Sequence, residues 1–336
     1  CADFTGTGVG EGIDITNITA GQDVFIRVYD YYGATLTDPT INICAYWDPA
    51  SLVPTNDECI GAIPLVPGAS CIGTSGNVAN ATGSLPSSSC SAGGLVQADV
   101  WYSFVASASA VDITVDPAST MDPVIQYFSG SCGALVSRGC SDFFTGSGTE
   151  HLTATGLIVG QTYFIRVYDY LGLGATATDF GICVRNLATP INNNCSGAAA
   201  VTLSPTTTFL PYTTALATQS QEGCNGNAND DVWFSFVAGQ NPQGTTINVG
   251  GDLDFSSVVE VFSGSCASLT SIGCINNDVV GPYDFENIVL TTLTPGQTYY
   301  VRVYDVDATT TNSTFYLSIE GTPVGCNLTA PTIALA

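Results

Sequence analysis

The chain has 336 residues, and its five positive side chains, all arginines, stand against 29 aspartates and glutamates, which gives a net charge of −24. A surface this acidic repels nucleic acid and anionic membranes, so neither is expected as a partner. Hydrophobic residues make up 45% of the chain, enough for packed cores, but no apolar run of about 18 residues is present that could span a membrane.

One motif, Gly-Gln-x-x-(Phe/Tyr)-(Ile/Val)-Arg-Val-Tyr-Asp, occurs at residues 21–30, 160–169 and 296–305. Other motifs recur in the same order around the last two copies, among them Asp-Val-Trp-(Tyr/Phe)-Ser-Phe-Val-Ala and Phe-Ser-Gly-Ser-Cys. Repetition of one unit at a near-constant spacing is typical of tandem modules. The sequence therefore predicts two complete modules, 56–186 and 192–321.

The two ends of the sequence match only parts of this module. Residues 1–48 align with its second half, because the opening Cys-x-Asp-Phe matches residues 140–143. Residues 322–336 are interpreted as a linker followed by the first strand of a further module. We therefore expect a window on a longer tandem array, and such arrays usually span, display or adhere rather than catalyse.

Short segments with alternating inward and outward side chains follow one another along each module, at residues 101–105, 111–115, 124–128, 163–168 and 180–184. Gly, Pro, Asn and Ser separate about eight or nine such segments per module, and helical spacing is not sustained anywhere. The pattern predicts an all-β fold of tandem antiparallel β-sandwich modules, of jelly-roll or immunoglobulin-like type.

Thirteen cysteines in an acidic, lysine-free repeat indicate disulfides and an oxidising compartment. The second module lacks counterparts of Cys71 and Cys183, which predicts that these two are partners. The other expected bridges are Cys59–Cys90, Cys132–Cys140, Cys195–Cys224 and Cys266–Cys274, with Cys1, Cys44 and Cys326 paired outside the sequence. An alternative joins Cys59 to Cys183 and Cys71 to Cys90.

The ordered motifs, from Asn-Asp-x-Cys through Asp-Val-Trp-(Tyr/Phe)-Ser-Phe and Phe-Ser-Gly-Ser-Cys to Gly-Gln-Thr-Tyr-x-(Ile/Val)-Arg-Val-Tyr, cover nearly the whole chain. In this combination the sequence resembles the repeat modules of large secreted surface proteins and adhesins of Bacteroidetes-type bacteria, which are related to pre-peptidase C-terminal domains. The resemblance implies a β-sandwich and a secreted, extracellular or cell-surface location. Such modules serve as stalks, adhesive arrays and enzyme appendages, so the fold alone does not select one function.

Aspartates recur at equivalent places in the modules, including Asp122 with Asp254 and Asp169 with Asp305. Oxygen-rich loops of this kind can hold calcium, and no other cofactor is expected. The calcium candidates named from the sequence are Asp99, Asp142, Asp231 and Asp254. The single His151 precedes a predicted strand and aligns with Glu286, so it is interpreted as a solvated loop residue rather than a catalytic base.

The repeated arginine lies between aromatic side chains on one strand face, as in Phe164, Arg166 and Tyr168. Such a stripe could stack on sugar rings as a ligand site. Alternatively, the guanidinium packs on the flanking rings and pairs with a carboxylate on a neighbouring strand, which fixes the strand register. Because arginines are scarce in this chain, the second interpretation is favoured.

No motif predicts an enzyme, so the sequence favours a non-catalytic structural or adhesive repeat protein, part of a surface stalk or filament. Its expected partners are neighbouring copies of the same module in a fibre. The alternative is a set of carbohydrate-binding modules that recognise polysaccharide, or a β-sandwich appendage of a secreted hydrolase. The Thr-rich, lysine-free surface is also compatible with O-glycosylation.

Overall fold

The computed structural model describes residues 23–28, 43, 53–91, 94, 96–118, 120–172, 179–240, 244–251, 255–277, 284–306 and 313–322. The chain divides into two compact units, Cys1–Trp47 and Asp48–Ala336. Residues 23–28 belong to the first copy of the repeated motif and form no strand, whereas the motif at 160–169 and 296–305 does. Most of the predicted half-module 1–48, and the segment 322–336 after Thr322, lie outside the described residues.

The first module contains a short 3-10 helix, Cys59–Gly61, and nine strands. These are β1 Ile63–Leu65, β2 Thr74–Asn77, β3 Asp99–Val105, β4 Val111–Pro117, β5 Pro123–Ser131, β6 Ala134–Ser141, β7 Glu150–Ala154, β8 Thr162–Asp169 and β9 Asp179–Asn186. They form a five-stranded sheet in the order β1-β3-β8-β5-β6 and a four-stranded sheet in the order β2-β9-β4-β7.

The second module repeats this plan after a 3-10 helix at Cys195–Gly197. Its strands are β10 Ala199–Ala200, β11 Leu210–Thr213, β12 Val232–Val237, β13 Thr245–Gly251, β14 Ser257–Ser265, β15 Ser268–Ile275, β16 Asp284–Leu290, β17 Thr298–Asp305 and β18 Thr314–Glu320. The sheet orders are β10-β12-β17-β14-β15 and β11-β18-β13-β16. The described residues contain no α-helix, so the predicted all-β, tandem β-sandwich fold is confirmed.

Two strand pairs depart from the predicted antiparallel pattern. β1 runs parallel to β3, and β10 runs parallel to β12. Both parallel strands are very short and lie at the edge of their sheet. Parallel neighbours cannot be joined by a hairpin and need a long connection. In the first module this connection contains β2, and in the second module it contains β11.

The repeated motif forms the central strand of each larger sheet. β8 pairs with β3 on one side and β5 on the other, and β17 is placed in the same way between β12 and β14. Its inward residues, such as Ile165 and Val167, pack with Ile113 and Val184 of the opposite sheet in a fully buried core. The near-continuous run of apolar and aromatic residues in the motif is therefore typical of a strand that is buried on both faces.

The predicted disulfide pairing is correct only for Cys71–Cys183. The structure joins Cys59 to Cys132 and Cys90 to Cys140, and in the second module Cys195 to Cys266 and Cys224 to Cys274. The predicted Cys59–Cys90, Cys132–Cys140, Cys195–Cys224 and Cys266–Cys274 are wrong, as is the alternative Cys59–Cys183 with Cys71–Cys90.

The reason is the β5–β6 hairpin. Ser131 pairs with Ala134, so Cys132 lies in the turn, while Cys140 pairs with Gln126 at the opposite end of the hairpin. At about 3.3 Å per residue, the strand separates the two sulfurs by about 20 Å, which is several times the reach of a disulfide. Each end of the hairpin is instead tied to a segment from earlier in the module.

Peptide mapping of the unreduced protein should recover fragments that link Cys59 with Cys132 and Cys90 with Cys140. The two modules provide an internal control, because Cys195–Cys266 and Cys224–Cys274 should appear in the same digest. Mass spectrometry of proteolytic fragments measures this directly. Recovery of a fragment cross-linked between Cys132 and Cys140 would contradict the hairpin geometry.

Candidate functional site

The arginine of the first module's central strand is buried and fully bonded. Arg166 donates from Nε to Asp99 Oδ2 at 2.8 Å and from an Nη to Pro86 O at 2.8 Å, and it also reaches Leu85 O. Gln126 accepts a further bond at 3.3 Å. Asp99 lies on the adjacent strand β3, where a carboxylate that pairs with Arg166 fixes the strand register. Because all of these bonds occupy the guanidinium N–H groups, no donor remains for an external ligand.

The two aromatic neighbours of Arg166 are also engaged inside the module. Tyr168 lies 4.8 Å from the guanidinium carbon, and its hydroxyl accepts a hydrogen bond from the Ser88 N–H at 3.0 Å. Phe164 packs beside Trp101 in a small apolar cluster. Arg166 and Tyr168 of the stripe predicted from the sequence are thus bonded inside the module, whereas Phe164 is only partly buried.

The second module builds a related arrangement with a second carboxylate. Arg302 donates to Asp231 Oδ2 at 3.1 Å, to Glu260 Oε2 at 2.8 Å and to the backbone carbonyls of Gln221 and Glu222, while its Nε has no partner among the described residues. Glu260 stands where the first module has Gln126, since each pairs with the strand arginine across the sheet.

The three calcium candidates that the structure describes, Asp99, Asp142 and Asp231, belong to no metal-binding group. Asp99 and Asp231 are bound to the buried arginines and to Ser84 and Ser220, respectively. Asp142 is buried with a partner of its own, and Asp254 lies outside the described residues. Among the residues that the structure describes, no three His, Cys, Asp or Glu side chains form a metal-binding group.

An aromatic side chain of the first module inserts into the second. Phe143, which is 9% exposed, stacks on Tyr316 with ring centroids 3.8 Å apart and lies 5.7–5.8 Å from Phe285 and Phe209. The floor of this hollow is Gly250, where an added Cβ would lie 2.6 Å from the Phe143 ring. The docking of the two modules therefore depends on one residue without a side chain.

A buried carboxylate holds the loop that carries Phe143. Glu150 accepts hydrogen bonds from the N–H groups of Phe143 and Phe144, at 3.0 and 2.7 Å, and from the Ser141 hydroxyl at 2.7 Å. Three donors on one carboxylate fix the loop and orient the aromatic ring. Strand register makes Glu286 the counterpart of Glu150, so the predicted alignment of His151 with Glu286 is wrong by one residue.

The edge of β7 is covered by hydroxyl groups of the second module. The Thr153 N–H donates to Thr314 Oγ1 at 2.9 Å, and the Thr314 hydroxyl donates to Thr153 Oγ1 at 2.8 Å. Thr213 accepts from the Thr153 hydroxyl at 3.3 Å. Because an open edge strand can pair with other chains, these bonds both join the modules and block that edge.

A cleft of about 80 Å³ opens beside this contact, several times the space that one water molecule needs. It is lined by Asp112, His151, Thr153 and Arg185 from the first module and by Pro211, Tyr212, Thr213 and Thr314 from the second. His151 lies on strand β7 with its Nδ1 3.3 Å from Asp112 Oδ1, so the interpretation as a loop residue is wrong. The cleft combines an aromatic ring with charged and hydroxyl groups.

The charge of the cleft centres on Asp112. Burial raises the pKa of Asp112, but the hydrogen bonds and charges of His151 and Arg185 outweigh burial, and the net pKa is lowered. Arg185 Nη lies 3.0 Å from Asp112 Oδ2 with 43% of its side chain exposed, so solvent weakens the pair. A lowered carboxyl pKa stabilises the folded state above the unfolded value of about 3.9, and this stabilisation is lost as pH falls through the folded pKa.

We expect Asp112→Asn to lower the free energy of unfolding by about 1 kcal/mol at pH 6, because the variant loses this partly screened charge interaction. The difference from the wild type should begin to shrink below about pH 4, where Asp112 of the unfolded chain is protonated, and should vanish once the pH has fallen through the lowered pKa of folded Asp112. Urea titrations at pH 6 and pH 3 measure it, with Glu58→Gln as an exposed acidic control. A difference that stays constant with pH would contradict the role of the charge.

Sequence reasoning missed the junction, although a comparison of the modules contains the signal. Phe143 corresponds by strand register to Asn277, since the N–H of each donates to the equivalent buried glutamate. Gly250 and Tyr316, which pair across the sheet, correspond to Asp116 and Gly181. Phe143 and Tyr316 therefore have no aromatic counterpart at the equivalent places of the other complete module.

Two disulfide-bonded β-sandwiches that follow one another in a chain define a class of tandem extracellular module. A family model described as galactose binding domain-like, and associated with T9SS, the type IX secretion system, matches residues 55–182 and 191–317. These matches span more than half of the sequence, so the chain belongs to this family. The match supports tandem modules of a T9SS-type surface protein but not the expected relation to pre-peptidase C-terminal domains.

Two solved structures show distant likeness. The tandem CBM51 modules of Sp3GH98, a family 98 glycoside hydrolase from Streptococcus pneumoniae SP3-BS71, share 10% identity over 67% of this chain and 82% of theirs, with a TM-score of 0.18. A putative uncharacterized protein from Burkholderia cenocepacia shares 8% identity over 66% of this chain and 76% of its own, with a TM-score of 0.22. No curated protein matches the chain.

The family association and the five disulfides point to an extracellular or secreted protein. Among the described residues, no helix has the length and apolar character that a membrane crossing requires. Galactose-binding-like domains are binding modules, which is consistent with the absence of a predicted catalytic function.

Proposed function

We propose that this chain is a non-catalytic segment of a secreted surface protein, in which galactose-binding-like modules dock rigidly in tandem and form a stiff spacer of a stalk, filament or adhesin. The insertion of Phe143 into the hollow over Gly250 is the observation that carries this proposal. Modules that only needed to be close in sequence would not require a shaped aromatic contact. A fixed angle between neighbours is what an extended spacer needs.

The connection between the modules supports the same function. The Leu187 N–H donates to Ala110 O in the first module at 3.0 Å, and Asn192 O accepts from Trp233 N–H in the second at 2.8 Å. Residues 188–191 alone lie between these anchors, and they include Pro190. A connection this short, with a proline, cannot act as a flexible tether. Module boundaries at 56–186 and 192–321 remain the working definition of the repeating unit.

Electron microscopy of the native surface protein tests the spacer function. We expect thin fibres with an axial repeat of roughly 4–5 nm per module, the dimension of a compact domain of this size. Neighbouring copies of the module are then the partners, and the Thr- and Ser-rich surface would be available for O-glycosylation. Compact, monodisperse particles would contradict a spacer.

Carbohydrate recognition is the second candidate, and the cleft between the modules favours it. Sugar sites combine an aromatic face with a few polar groups that fix orientation, and Tyr212 lies there beside Asp112, His151 and Arg185. Tyr168 is buried, and Phe164 is partly buried against the cluster of Trp101 and Phe128, so the two rings do not present such a surface.

A glycan array of the purified chain tests this candidate. Retention that falls at least tenfold in Arg185→Ala and His151→Ala, with Arg138→Ala as an exposed control on another strand, would support polysaccharide binding at the cleft. Equal retention of all variants, or none by the wild type, would exclude the cleft as the sugar site and leave the spacer function intact.

A further inference from the structure

Two buried aspartates of the first module meet where β8 ends and β5 begins. The Asp122 N–H donates to Asp169 Oδ1 at 3.1 Å, and the Leu171 N–H donates to the same oxygen at 3.3 Å. Asp122 is 5% exposed and Asp169 is 2% exposed. The strand pairing places the two residues side by side, since Asp169 pairs with Pro123, the neighbour of Asp122.

Each of these carboxylates has one oxygen without a partner. No described hydrogen-bond donor reaches Asp122 Oδ1 or Asp169 Oδ2, although both atoms are buried. A buried carboxylate oxygen without a donor or a cation is costly, and two adjacent ones repel each other. The described residues therefore leave these two carboxylate oxygens without the donor or cation that would stabilise them.

Among the described residues of Asp48–Ala336, every arginine side chain is engaged away from this pair. The chain contains no lysine, and the described arginines of the second unit bind elsewhere: Arg138 to Ser129, Arg166 to Asp99, Arg185 to Asp112, and Arg302 to Asp231 and Glu260. A cation that neutralises the pair therefore has to come from solution.

We propose that Asp122 and Asp169 bind a hard divalent cation, Ca²⁺, through Asp122 Oδ1 and Asp169 Oδ2. Oxygen is the only donor type at the site, which suits Ca²⁺ and not Zn²⁺, and Ca²⁺ tolerates irregular coordination completed by carbonyls and waters. The described residues add no third acidic, histidine or cysteine ligand, so those further ligands are required. By sequence, Asp254 and Asp305 occupy the same places in the second module.

The site also connects to the docking of the modules. Gly146 N–H donates to the Asp122 carboxylate, and Gly146 belongs to the same loop as Phe143. A cation on Asp122 would hold this loop from one side, while Glu150 holds it from the other. Calcium is therefore expected to stabilise the first module and the position of the aromatic ring that inserts into the second.

The test compares the chelator-treated chain with and without 2 mM CaCl₂, using isothermal titration calorimetry and thermal unfolding. We expect saturable binding and a rise in Tm on the order of 5 °C, with a much smaller rise in equimolar MgCl₂. Asp122→Asn and Asp169→Asn should each lose one equivalent of bound Ca²⁺. Asn keeps the oxygen that accepts backbone hydrogen bonds, so both variants should fold.

The aspartate variants are expected to change the unfolding temperature in the opposite direction when calcium is absent. Without calcium, Asp122→Asn should unfold at the same or a higher temperature than the wild type, because it removes the repulsion between the carboxylates. Glu58→Gln, an exposed acidic control, should keep the full calcium response. The proposal is overturned by a wild type that shows no calcium response, by equal responses to Mg²⁺, or by unchanged binding stoichiometry in both aspartate variants.

Discussion

Arg166→Met is expected to lower the free energy of unfolding of the first module by about 3–5 kcal/mol, the largest effect of any single substitution considered. The guanidinium and Asp99 are both buried, with side-chain exposures of 1% and 0%. Removing the cation leaves a carboxylate in the core with only Ser84 and Trp101 as donors. Two backbone carbonyls, Pro86 O and Leu85 O, lose their donor as well.

Urea unfolding followed by tryptophan fluorescence measures this change, since Trp101 lies on the strand that carries Asp99. Arg185→Met is the matched control, because that arginine also binds an aspartate but is 43% exposed, and it should cost no more than about 1 kcal/mol. If both arginine variants lost the same stability, burial of the Arg166 pair would not be the cause.

A double substitution separates the net contribution of the ion pair to stability from the destabilisation caused by leaving one charge unpaired. Arg166→Met with Asp99→Asn should recover part of the loss, because no unpaired charge is then buried. The remaining deficit reports the backbone carbonyls of residues 85 and 86, which hold the loop before β3 against the sheet. A double variant as unstable as the sum of its single variants would argue that the two residues do not act as a pair.

Local pattern was enough to locate five strands of the first module, β3, β4, β5, β8 and β9. The alternation in 163–168 shows which residues face the core, and the scarcity of arginine indicated that Arg166 has a structural partner. Its cross-strand carboxylate could be expected from the sequence, but its identity as Asp99 could not, because that depends on which strands are neighbours. Sheet order is a non-local property, and the pairing of β3 with β8 joins residues about 65 positions apart.

The disulfides also depend on non-local structure that the sequence does not show directly. Loss of Cys71 and Cys183 together in the second module identified one bridge correctly, because covariation reports contact directly. The other pairings were assigned by closeness in sequence, and a hairpin that carries Cys132 and Cys140 to opposite ends defeats that rule. Docking by Phe143 was missed for a related reason, since an aromatic residue in a loop has no periodic pattern to mark it.

Phe143→Ala should uncouple the two modules at a cost of about 3 kcal/mol, within the range for a buried aromatic side chain. The ring loses its stacking on Tyr316 and leaves the hollow over Gly250 empty. Because the backbone bonds to Glu150 do not involve the ring, each module should keep its own fold. Calorimetry should show the unfolding transitions of the modules moving apart, and small-angle scattering should show a larger spread of interdomain distances. Ile60→Ala, at an apolar residue that is 89% exposed, is the control and should change neither.

Gly250→Ala changes the same contact on the side of the second module. Its added methyl would lie 2.6 Å from the Phe143 ring and 2.8 Å from Phe285, so it should expel the ring and uncouple the modules in the wild-type background. In the Phe143→Ala background the methyl has room on that side, so the second substitution should add less than about 1 kcal/mol. Non-additivity of this kind is expected only if the two residues act through one contact. Additive losses would mean that Gly250 matters for the second module alone, and the hollow would then not be what sets the angle between the modules.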